Sequence, residues 1–401
     1  MVLLRRRRGV FVLVSLIAAA TVSFNVFNAL VHHTNDSREQ TMVRDVHPRT
    51  RRRTTPRTAP GTTLRRYEKF RRPVVLIMSQ MRSGSSFAAE IFNQHPGAFY
   101  VFEPLWAVSF LSNGTYNSDV WRRDMLTALM TCRFDGLEKF LWFYLNDENF
   151  YVFTKSQALL DVCKKFSKPG NITEPCPIPR SVLASVLGRS CHAKNFTVIK
   201  TIRVKDIDLI RSTLENIGNE VELKIIHLVR DPRATIASRM GVFDQGKSYA
   251  DLNVKNKNYG IYGLCREALR NMQPKSGTSS FLRDRYALVR YEDIIRDIAE
   301  MAKRLYNFTG VPIHRDVLRW IQLNTNVEDV DAGPFSRKRN AKEAANHWRT
   351  RLSFAQVKTI QGYCAEAMRL LGYRFITDDA MLKNMSASLL GELNQDVMVI
   401  Q

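Results

Sequence analysis

The sequence is short of acidic residues and lacks two common arrangements of side chains. Its 401 residues include 38 Asp and Glu against 60 Lys and Arg, for a formal charge of +22. This imbalance favours a polyanionic partner: nucleic acid, an anionic membrane face, a phosphorylated cofactor or an acidic polysaccharide. None of the six cysteines lies in a CxxC pair, which argues against a zinc site. There is no internal repeat, so a repeat architecture is not expected.

The N-terminal stretch combines basic residues with one long apolar run. Residues 1–72 hold sixteen Lys and Arg against four Asp and Glu. The cluster Arg5–Arg8 precedes an apolar run from Val10 to Val31, and about 20 such residues can span a bilayer. We expect a cytoplasmic tail at 1–9 and a transmembrane signal-anchor at 10–31. A cleaved signal peptide is the alternative, because Ala18–Ala20 resembles a cleavage site. Both interpretations send the remaining chain to the secretory lumen, which argues against a nucleic-acid partner.

The cysteines and glycosylation sequons agree with a lumenal location. An even number of cysteines suits three disulfides in an oxidising compartment, although their pairing stays open: Cys132, Cys163, Cys176, Cys191, Cys265 and Cys364. Six Asn-x-Ser/Thr sequons are glycosylation candidates: Asn35, Asn113, Asn171, Asn195, Asn307 and Asn384. Residues 32–72, rich in Arg, Thr and Pro, are typical of a flexible lumenal stem. We expect a catalytic domain at 73–377 and a C-terminal tail at 378–401.

Short apolar segments alternate with helical segments along the folded part. They predict strands at 74–78, 99–102, 196–200, 223–229 and 286–289. This alternation is typical of an α/β fold with a central, mostly parallel sheet flanked by helices. The section from Leu105 to Cys191 is less regular and holds four of the six cysteines. It is predicted to be a disulfide-braced insertion.

Two predicted strand-to-helix junctions carry groups that bind anions. The first, from Ser79 to Phe87, is a small-residue loop whose backbone amides, helix N-terminus, serine hydroxyls and Arg82 suit a phosphate. Compared with the GxxxxGK[ST] loop of nucleotide-dependent kinases, this loop lacks the first Gly and the Lys. The difference disfavours a kinase. The second junction follows the strand at 223–229, runs through Arg230-Asp231-Pro232-Arg233 and ends in Ser238-Arg239.

Several motifs together resemble the Golgi carbohydrate sulfotransferases. They are RSGSSF (82–87), FEPLW (102–106), IIHLVRDPRATIASR (225–239), LVRYED (288–293) and HWR (347–349). The resemblance covers about residues 73–395 and is strongest to the branch that sulfates carbon-6 hydroxyls of galactose, N-acetylgalactosamine or N-acetylglucosamine. It implies a P-loop NTPase-like sulfotransferase fold preceded by one transmembrane helix. It also implies 3′-phosphoadenosine-5′-phosphosulfate as co-substrate, no metal, and a single-pass type II Golgi membrane protein with a lumenal catalytic domain.

The resemblance also implies roles for individual residues. The loop for the 5′-phosphosulfate falls on Arg82, Ser83, Gly84, Ser85, Ser86 and Phe87. The 3′-phosphate site falls on Arg230 and Ser238, for which a surface ion pair with Asp231 and a helix-interior serine are the structural alternatives. A late basic loop, 334–340, contributes Arg337 and Arg339, unless it is a solvated loop. Lys200 is expected to contact the bridging oxygen of the donor.

The general base cannot be the residue that serves in cytosolic sulfotransferases. Those enzymes carry a His after a strand-end Lys-Thr pair, and Ile202 stands there in this sequence. We predict Glu103 as the base, because it follows a strand at the sheet edge where ligands bind and its apolar neighbours favour proton uptake. The alternative is a structural carboxylate that binds loop amides or a nearby Arg. His227 is expected in the core and His95 at a helix end.

The resulting hypothesis is sulfo transfer to the 6-hydroxyl of a sugar in a glycan. The basic surface favours a chondroitin or keratan sulfate type of glycosaminoglycan, and a neutral glycan ending in N-acetylglucosamine stays open. A catalytically inert lumenal glycan-binding relative and a lumenal kinase are the alternatives. The membrane is a second partner through the N-terminal helix, and a homodimer is left open.

Overall fold

The structure is a computed structural model, and it describes residues 71–112, 118–147, 152–167, 175–243, 260–273, 278–325 and 345–393. The predicted cytoplasmic tail, the transmembrane anchor and nearly all of the stem lie outside these ranges. So do Arg337 and Arg339 of the late basic loop and the sequons at Asn35, Asn113 and Asn171. Among the described residues, no helix has the length and apolar character needed to cross a membrane.

Five parallel strands form one sheet in the described part of the chain. They are β1 (Arg72–Ser79), β2 (Ala98–Phe102), β3 (Phe196–Thr201), β4 (Val221–Val229) and β5 (Tyr286–Arg290). Their order across the sheet is β2-β3-β1-β4-β5. The predicted central parallel sheet is confirmed, since each of the five apolar segments forms a strand.

The apolar strands are explained by burial on both faces of the sheet. Alternate residues of β1 enter two different cores: Val74 and Leu76 face one, and Val75 and Ile77 face the other. These four side chains are at most 1% exposed. A strand covered on both faces has no polar side, so its sequence is a continuous apolar run rather than an alternation. Hydrophobic burial on both faces therefore fixes β1 at the centre of the fold.

Helices cover both faces. In chain order the described helices are α1 (Ser85–Asn93), α2 (Leu105–Leu111), α3 (Ser118–Thr131), α4 (Glu138–Asn146), α5 (Gln157–Lys164), α6 (Arg180–His192), α7 (Asp208–Ile217), α8 (Pro232–Phe243), α9 (Ile261–Met272), α10 (Thr278–Leu282), α11 (Tyr291–Arg296), α12 (Ile298–Thr309), α13 (Arg315–Thr325), α14 (Trp348–Arg351), α15 (Phe354–Leu370) and α16 (Asp379–Lys383). Helices α1, α11, α12 and α13 supply the smaller core, and most of the others supply the larger one.

The strand order creates a point where the chain changes direction across the sheet. The chain runs from β1 outward to β2, returns to β3, and then crosses β1 to reach β4. In open α/β sheets, ligands bind outside the carboxyl ends of the strands at such a switch point. The loops that follow β1, β3 and β4 all begin at this edge, as does Glu103 after β2. The fold thus brings the predicted site residues to one edge of the sheet.

The segment between Leu105 and Cys191 is more regular than expected, since it contains α2 to α6. Its four cysteines pair within it, as Cys132–Cys191 and Cys163–Cys176. The third disulfide, Cys265–Cys364, joins α9 to α15. The structure therefore holds the three disulfides for which the cysteine count was suited, and it supplies the pairing that the sequence left open.

The stretch from residue 378 to 393 packs on the domain, where the sequence predicted a tail. Leu382 is 1% exposed, and Arg290 donates hydrogen bonds to the carbonyls of Leu371 and Gly391 at 2.9 and 2.8 Å. The guanidinium of Arg349, in the HWR motif, donates to four backbone carbonyls, those of Met381, Leu382, Asn384 and Ala387. Buried arginines therefore hold this segment against the domain through its backbone carbonyls, and Leu382 and Leu389 add apolar contacts to the larger core.

We expect the Arg349→Lys substitution to destabilise the protein by about 3 kcal/mol, because a single ammonium cannot satisfy four carbonyls that the planar guanidinium reaches together. Arg351→Lys, two residues later and exposed, is the matched control and should change stability by less than about 0.5 kcal/mol. Guanidinium denaturation with the disulfides intact measures both. Equal midpoints for the two variants would contradict a structural role for Arg349.

Candidate functional site

The loop between β1 and α1 has the geometry of an anion site. Arg82 and Gly84 both have positive φ values, 68° and 84°. The backbone N–H and side-chain Oγ of Ser83 donate to the carbonyl of Gln80 at 3.2 and 2.7 Å, which closes the turn. Helix α1 begins without a side-chain cap on Gly84 and without an acidic residue in its first turn. The N-terminal amides of such a helix favour a bound anion.

The second predicted junction, between β4 and α8, meets this loop directly. Arg82 donates from Nε to Ser238 Oγ at 3.0 Å, and Arg230 donates from Nη1 to the Arg82 carbonyl at 3.2 Å. Arg239, which is 2% exposed, donates from Nε and Nη2 to the Met81 carbonyl, both at 3.1 Å. The structure thus brings Arg82, Arg230 and Ser238 together, and it adds Arg239. Three guanidinium groups around one short loop create a positive potential that attracts an anion.

The remaining charges of the Arg230–Arg233 motif serve the fold. The Asp231 carboxylate accepts from Arg233 Nε and Nη2 at 2.7 to 3.2 Å, and Arg233 is fully buried. Arg233 also donates to Gln361 Oε1 and to the Arg374 carbonyl, both at 2.9 Å. Arg233, oriented by Asp231, therefore anchors the turn to α15 and to the chain that follows it. The predicted alternative, an ion pair of Asp231 with Arg230, is replaced by this pair with Arg233.

Tyr291, at the start of α11, holds the two anion loops in contact. Its ring lies against Gly84, where a Cβ atom would approach Tyr291 Cδ2 to 2.3 Å. The Arg230 guanidinium lies 4.9 Å from the centre of the same ring. Next to it, Glu292 accepts from the Asp231 amide at 3.1 Å and from Tyr373 Oη at 2.8 Å, and burial raises its pKa. The LVRYED motif is therefore a support for the loops.

Glu103 lies at the carboxyl end of β2 in a buried cluster of charges. Its Oε1 accepts from Lys200 Nζ at 2.5 Å, and its Oε2 accepts from Arg203 Nη1 at 2.6 Å and from the Ile202 amide at 3.2 Å. The predicted apolar surroundings are wrong, because both oxygens have charged donors. The predicted alternative, a carboxylate that binds loop amides and a nearby Arg, describes these contacts. A catalytic role for Glu103 stays a prediction.

Lys200 is the buried partner in this cluster. Its side chain is 3% exposed, and its Nζ lies 4.5 Å from the centre of the Phe102 ring. Burial lowers the pKa of Lys200, and the Glu103 carboxylate acts in the opposite direction. In the sheet Lys200 is in register with Phe102 of β2 and with Ile77 of β1. This register places the Glu103–Lys200 pair at the same sheet edge as the anion loop.

Glu267 of α9 is a residue near the site that the sequence did not predict. Burial raises its pKa to about 7, against the opposing influence of Lys205 and Arg239 and a hydrogen bond from Gln80. Gln80 and Lys205 belong to the loops after β1 and β3, so the carboxyl lies beside the anion site. No local motif marks Glu267, because the residues that surround it come from three distant segments.

The other predicted residues lie elsewhere. His227 Nδ1 is 2.6 Å from Tyr286 Oη in the core, and burial lowers its pKa to about 4. His95 contacts the Pro312 carbonyl at 3.2 Å just after α1.

The sequence from Gly241 to Ser248 matches the phosphate-loop pattern GxxxxGK[ST]. Gly241 lies in α8, however, whereas a phosphate loop of this type follows a strand. Within the described ranges, no three His, Cys, Asp or Glu residues are grouped to hold a metal ion.

Comparisons with known proteins cover most of the chain. A family model described as sulfotransferase domain matches residues 72–372, from the first residue of β1 to just after α15. Carbohydrate sulfotransferase 3 of Tetronarce californica is 33% identical over 361 residues, or 84% of this chain and 80% of that protein. Carbohydrate sulfotransferase 3 of Homo sapiens is 33% identical over 340 residues, or 79% and 71%. A solved sulfotransferase domain from the Synechococcus PCC 7002 olefin synthase has a TM-score of 0.41 at 21% identity, covering 77% of this chain and 98% of that one.

Gly84→Ala is expected to lower the free energy of unfolding by about 3 kcal/mol, because the new methyl group adds a clash with Tyr291 to the strain of a positive φ. Gly136→Ala is the matched control: Gly136 has φ 81° and no atom within 4 Å of the added Cβ, so only about 1 kcal/mol of strain is expected. Chemical denaturation compares the two. A loss at Gly84 no larger than that at Gly136 would disprove the close packing of Tyr291.

Glu267→Gln is expected to stabilise the protein at pH 8 and to leave it unchanged at pH 4. A carboxyl whose pKa is about 7 when folded and 4.5 when unfolded destabilises the fold as the pH rises between these values. The neutral amide removes this cost, by about 1 kcal/mol once solvent screening is allowed for. Thermal denaturation of parent and variant across this range measures the effect. A difference in melting temperature that does not change with pH would refute it.

Proposed function

The chain belongs to the carbohydrate sulfotransferase family, and from this premise we propose that it transfers a sulfo group from 3′-phosphoadenosine-5′-phosphosulfate to the 6-hydroxyl of galactose, N-acetylgalactosamine or N-acetylglucosamine in a glycan. The family resemblance inferred from the motifs is confirmed. The observation that carries the proposal is the meeting of Arg82, Arg230 and Ser238 at the sheet edge that also holds Glu103 and Lys200. A chondroitin or keratan sulfate type of acceptor suits the basic chain.

The anion loop fits a donor with phosphate groups at two positions. The uncapped start of α1 and the residues from Arg82 to Phe87 suit the 5′-phosphosulfate, and Arg230 and Ser238 suit the 3′-phosphate. When bound, the donor supplies the sulfo group and a phosphate leaving group. The hydrogen bond between Arg82 and Ser238 links the two parts of this site through the protein itself. Such preorganised donors stabilise charge on a leaving phosphate without rearrangement in the reaction.

The acceptor hydroxyl has to lose a proton, and Glu103 is the proposed base. Its two oxygens differ in access. Oε1 faces Lys200, which is 3% exposed, whereas Oε2 faces Arg203, whose side chain is 24% exposed. Arg203 is thus the partner that can move away, so Oε2 is the oxygen that would take the proton. Lys200 stays in place and supplies positive charge beside the reacting groups.

The proposed location is the Golgi lumen, with a single-pass type II anchor at residues 10–31. Three disulfides within the described residues suit an oxidising compartment. The sequons at Asn195, Asn307 and Asn384 are all exposed, as glycosylation requires. These observations support the lumenal orientation that the N-terminal sequence predicts.

A transfer assay with radiolabelled phosphosulfate donor and a panel of glycans tests the function. We expect label in chondroitin, keratan or N-acetylglucosamine-terminated acceptors. Mild chemical and enzymatic degradation of the product then locates the sulfate at carbon 6. Label transferred only from γ-labelled ATP would indicate a kinase. Glycan binding without transfer from either donor would indicate an inert relative, and both results would overturn the proposal.

Glu103→Gln is expected to lower kcat by at least about 100-fold while the affinity for the desulfated donor product stays within about threefold. The change also leaves Lys200 buried without its counter-charge, which destabilises a fold. The double variant Glu103→Gln/Lys200→Met removes that second effect and should recover the melting temperature without recovering turnover. A folded Glu103→Gln variant with parental kcat would assign the base to another residue.

A further inference from the structure

An aromatic stack lies on the surface beside the candidate site. The rings of Trp106, Phe110 and Phe143, here called the aromatic platform, have centroids 5.2 to 5.6 Å apart and interplanar angles of 13° to 26°. Phe110 is 53% exposed, and the other two are half-buried. From the sequence, Trp142, Phe143 and Tyr144 are expected in the core, and a sugar-stacking role is left open. Tyr144 is buried, but Trp142 is 44% exposed, and Phe143 belongs to the platform.

Two hydrogen bonds fix the platform to the peptide that carries Glu103. The Trp106 amide donates to the Glu103 carbonyl at 2.9 Å, at the start of α2. Tyr144, which follows Phe143 in α4, donates from Oη to the Phe102 carbonyl at 2.5 Å. Both helices that supply the rings are therefore held at the carboxyl end of β2. The platform is therefore built on elements that adjoin the peptide of Glu103.

The chemistry of the platform selects the part of a ligand that it can bind. Near-parallel rings, one exposed and two half-buried, offer a flat apolar face with an electron-rich surface. A pyranose ring has a complementary flat face of C–H groups. Trp106, Phe110 and Phe143 carry no charge, so carboxylates and sulfates of an acidic glycan are left to the basic side chains. Pockets that bind organic ligands combine these two kinds of surface.

We propose that the aromatic platform is the acceptor subsite, on which a pyranose ring of the glycan stacks and so directs the neighbouring hydroxyl to Glu103. This inference deepens the proposed function and rests on it for the identity of the ligand. A protein or lipid partner would also meet an exposed Phe110. The glycan is favoured because the helix that carries Trp106 and Phe110 begins two residues after Glu103, the residue proposed to take the proton of the acceptor hydroxyl.

Phe110→Ala tests the subsite, because the ring is 53% exposed and losing its two ring contacts should destabilise the protein only slightly, which leaves it folded. We expect the KM for an oligosaccharide acceptor to rise about tenfold, while the KM for the donor and kcat stay within about twofold. Phe110→Tyr keeps a flat ring and should retain the parental acceptor KM. The matched control is Phe166→Ala, since Phe166 is 42% exposed just after α5. It should leave every constant unchanged.

Direct binding separates this inference from the proposed function. The dissociation constant of a chondroitin or keratan hexasaccharide is measured by calorimetry in the presence of the desulfated donor product, for the full chain and for each variant. A parent that transfers nothing but binds glycan about tenfold more tightly than Phe110→Ala would refute the reaction and keep the subsite. A parent that transfers sulfate with an acceptor affinity independent of Phe110 would overturn the subsite alone. Failure of the parent to bind any glycan would overturn both.

Discussion

The buried ion pair between Glu103 and Lys200 is the interaction on which the site depends. Both side chains are almost fully removed from water, so their attraction has to offset a large desolvation cost. It does so because β2 and β3 are adjacent parallel strands, which bring the two residues to one edge in a fixed register. Arg203 and the Ile202 amide satisfy the second carboxylate oxygen. A charge pair of this kind stabilises little by itself, but it fixes the position of the two side chains.

Buried arginines tie together segments that are distant in the sequence. Arg233 and Arg290 pair with the carboxylates of Asp231 and Asp293, and the hydrogen bonds to carbonyls that they also make tie distant segments together. Arg239 instead holds a loop carbonyl at 3.1 Å. Carbonyl contacts orient a guanidinium without cancelling its charge, so positive potential is retained around the β1–α1 loop. Arg233, Arg290 and Arg349 therefore hold the fold together, whereas Arg239 orients the β1–α1 loop.

The sequence predicted those parts of the structure that are encoded locally. Five apolar runs predicted five strands. A strand buried on both faces is a continuous apolar run, which can be recognised without knowing the neighbouring strands. The contacts of Arg203 and Glu267 could not be predicted, since they join segments about 30 to 190 residues apart and leave no periodic pattern. The same holds for the contacts of Arg349. Its guanidinium holds the carbonyls of a segment that the sequence predicted to be a tail. Disulfide pairing likewise depends on the packed helices.

Three features that oppose folding lie along one edge of the sheet. Arg82 and Glu103 have positive φ values of 68° and 53°, although neither is glycine and Glu103 precedes a proline. Lys200 is a buried cation, and Phe110 leaves an apolar ring in water. Each costs free energy that the two hydrophobic cores have to offset. Positive φ values also occur at Cys132 and Asp284, but only at this edge do they coincide with a buried lysine and its carboxylate partner among the described residues, as expected of a site for binding and chemistry. The backbone strain aims Arg82 and Glu103, the buried charge supplies an electrostatic field, and the exposed ring offers a surface for the ligand.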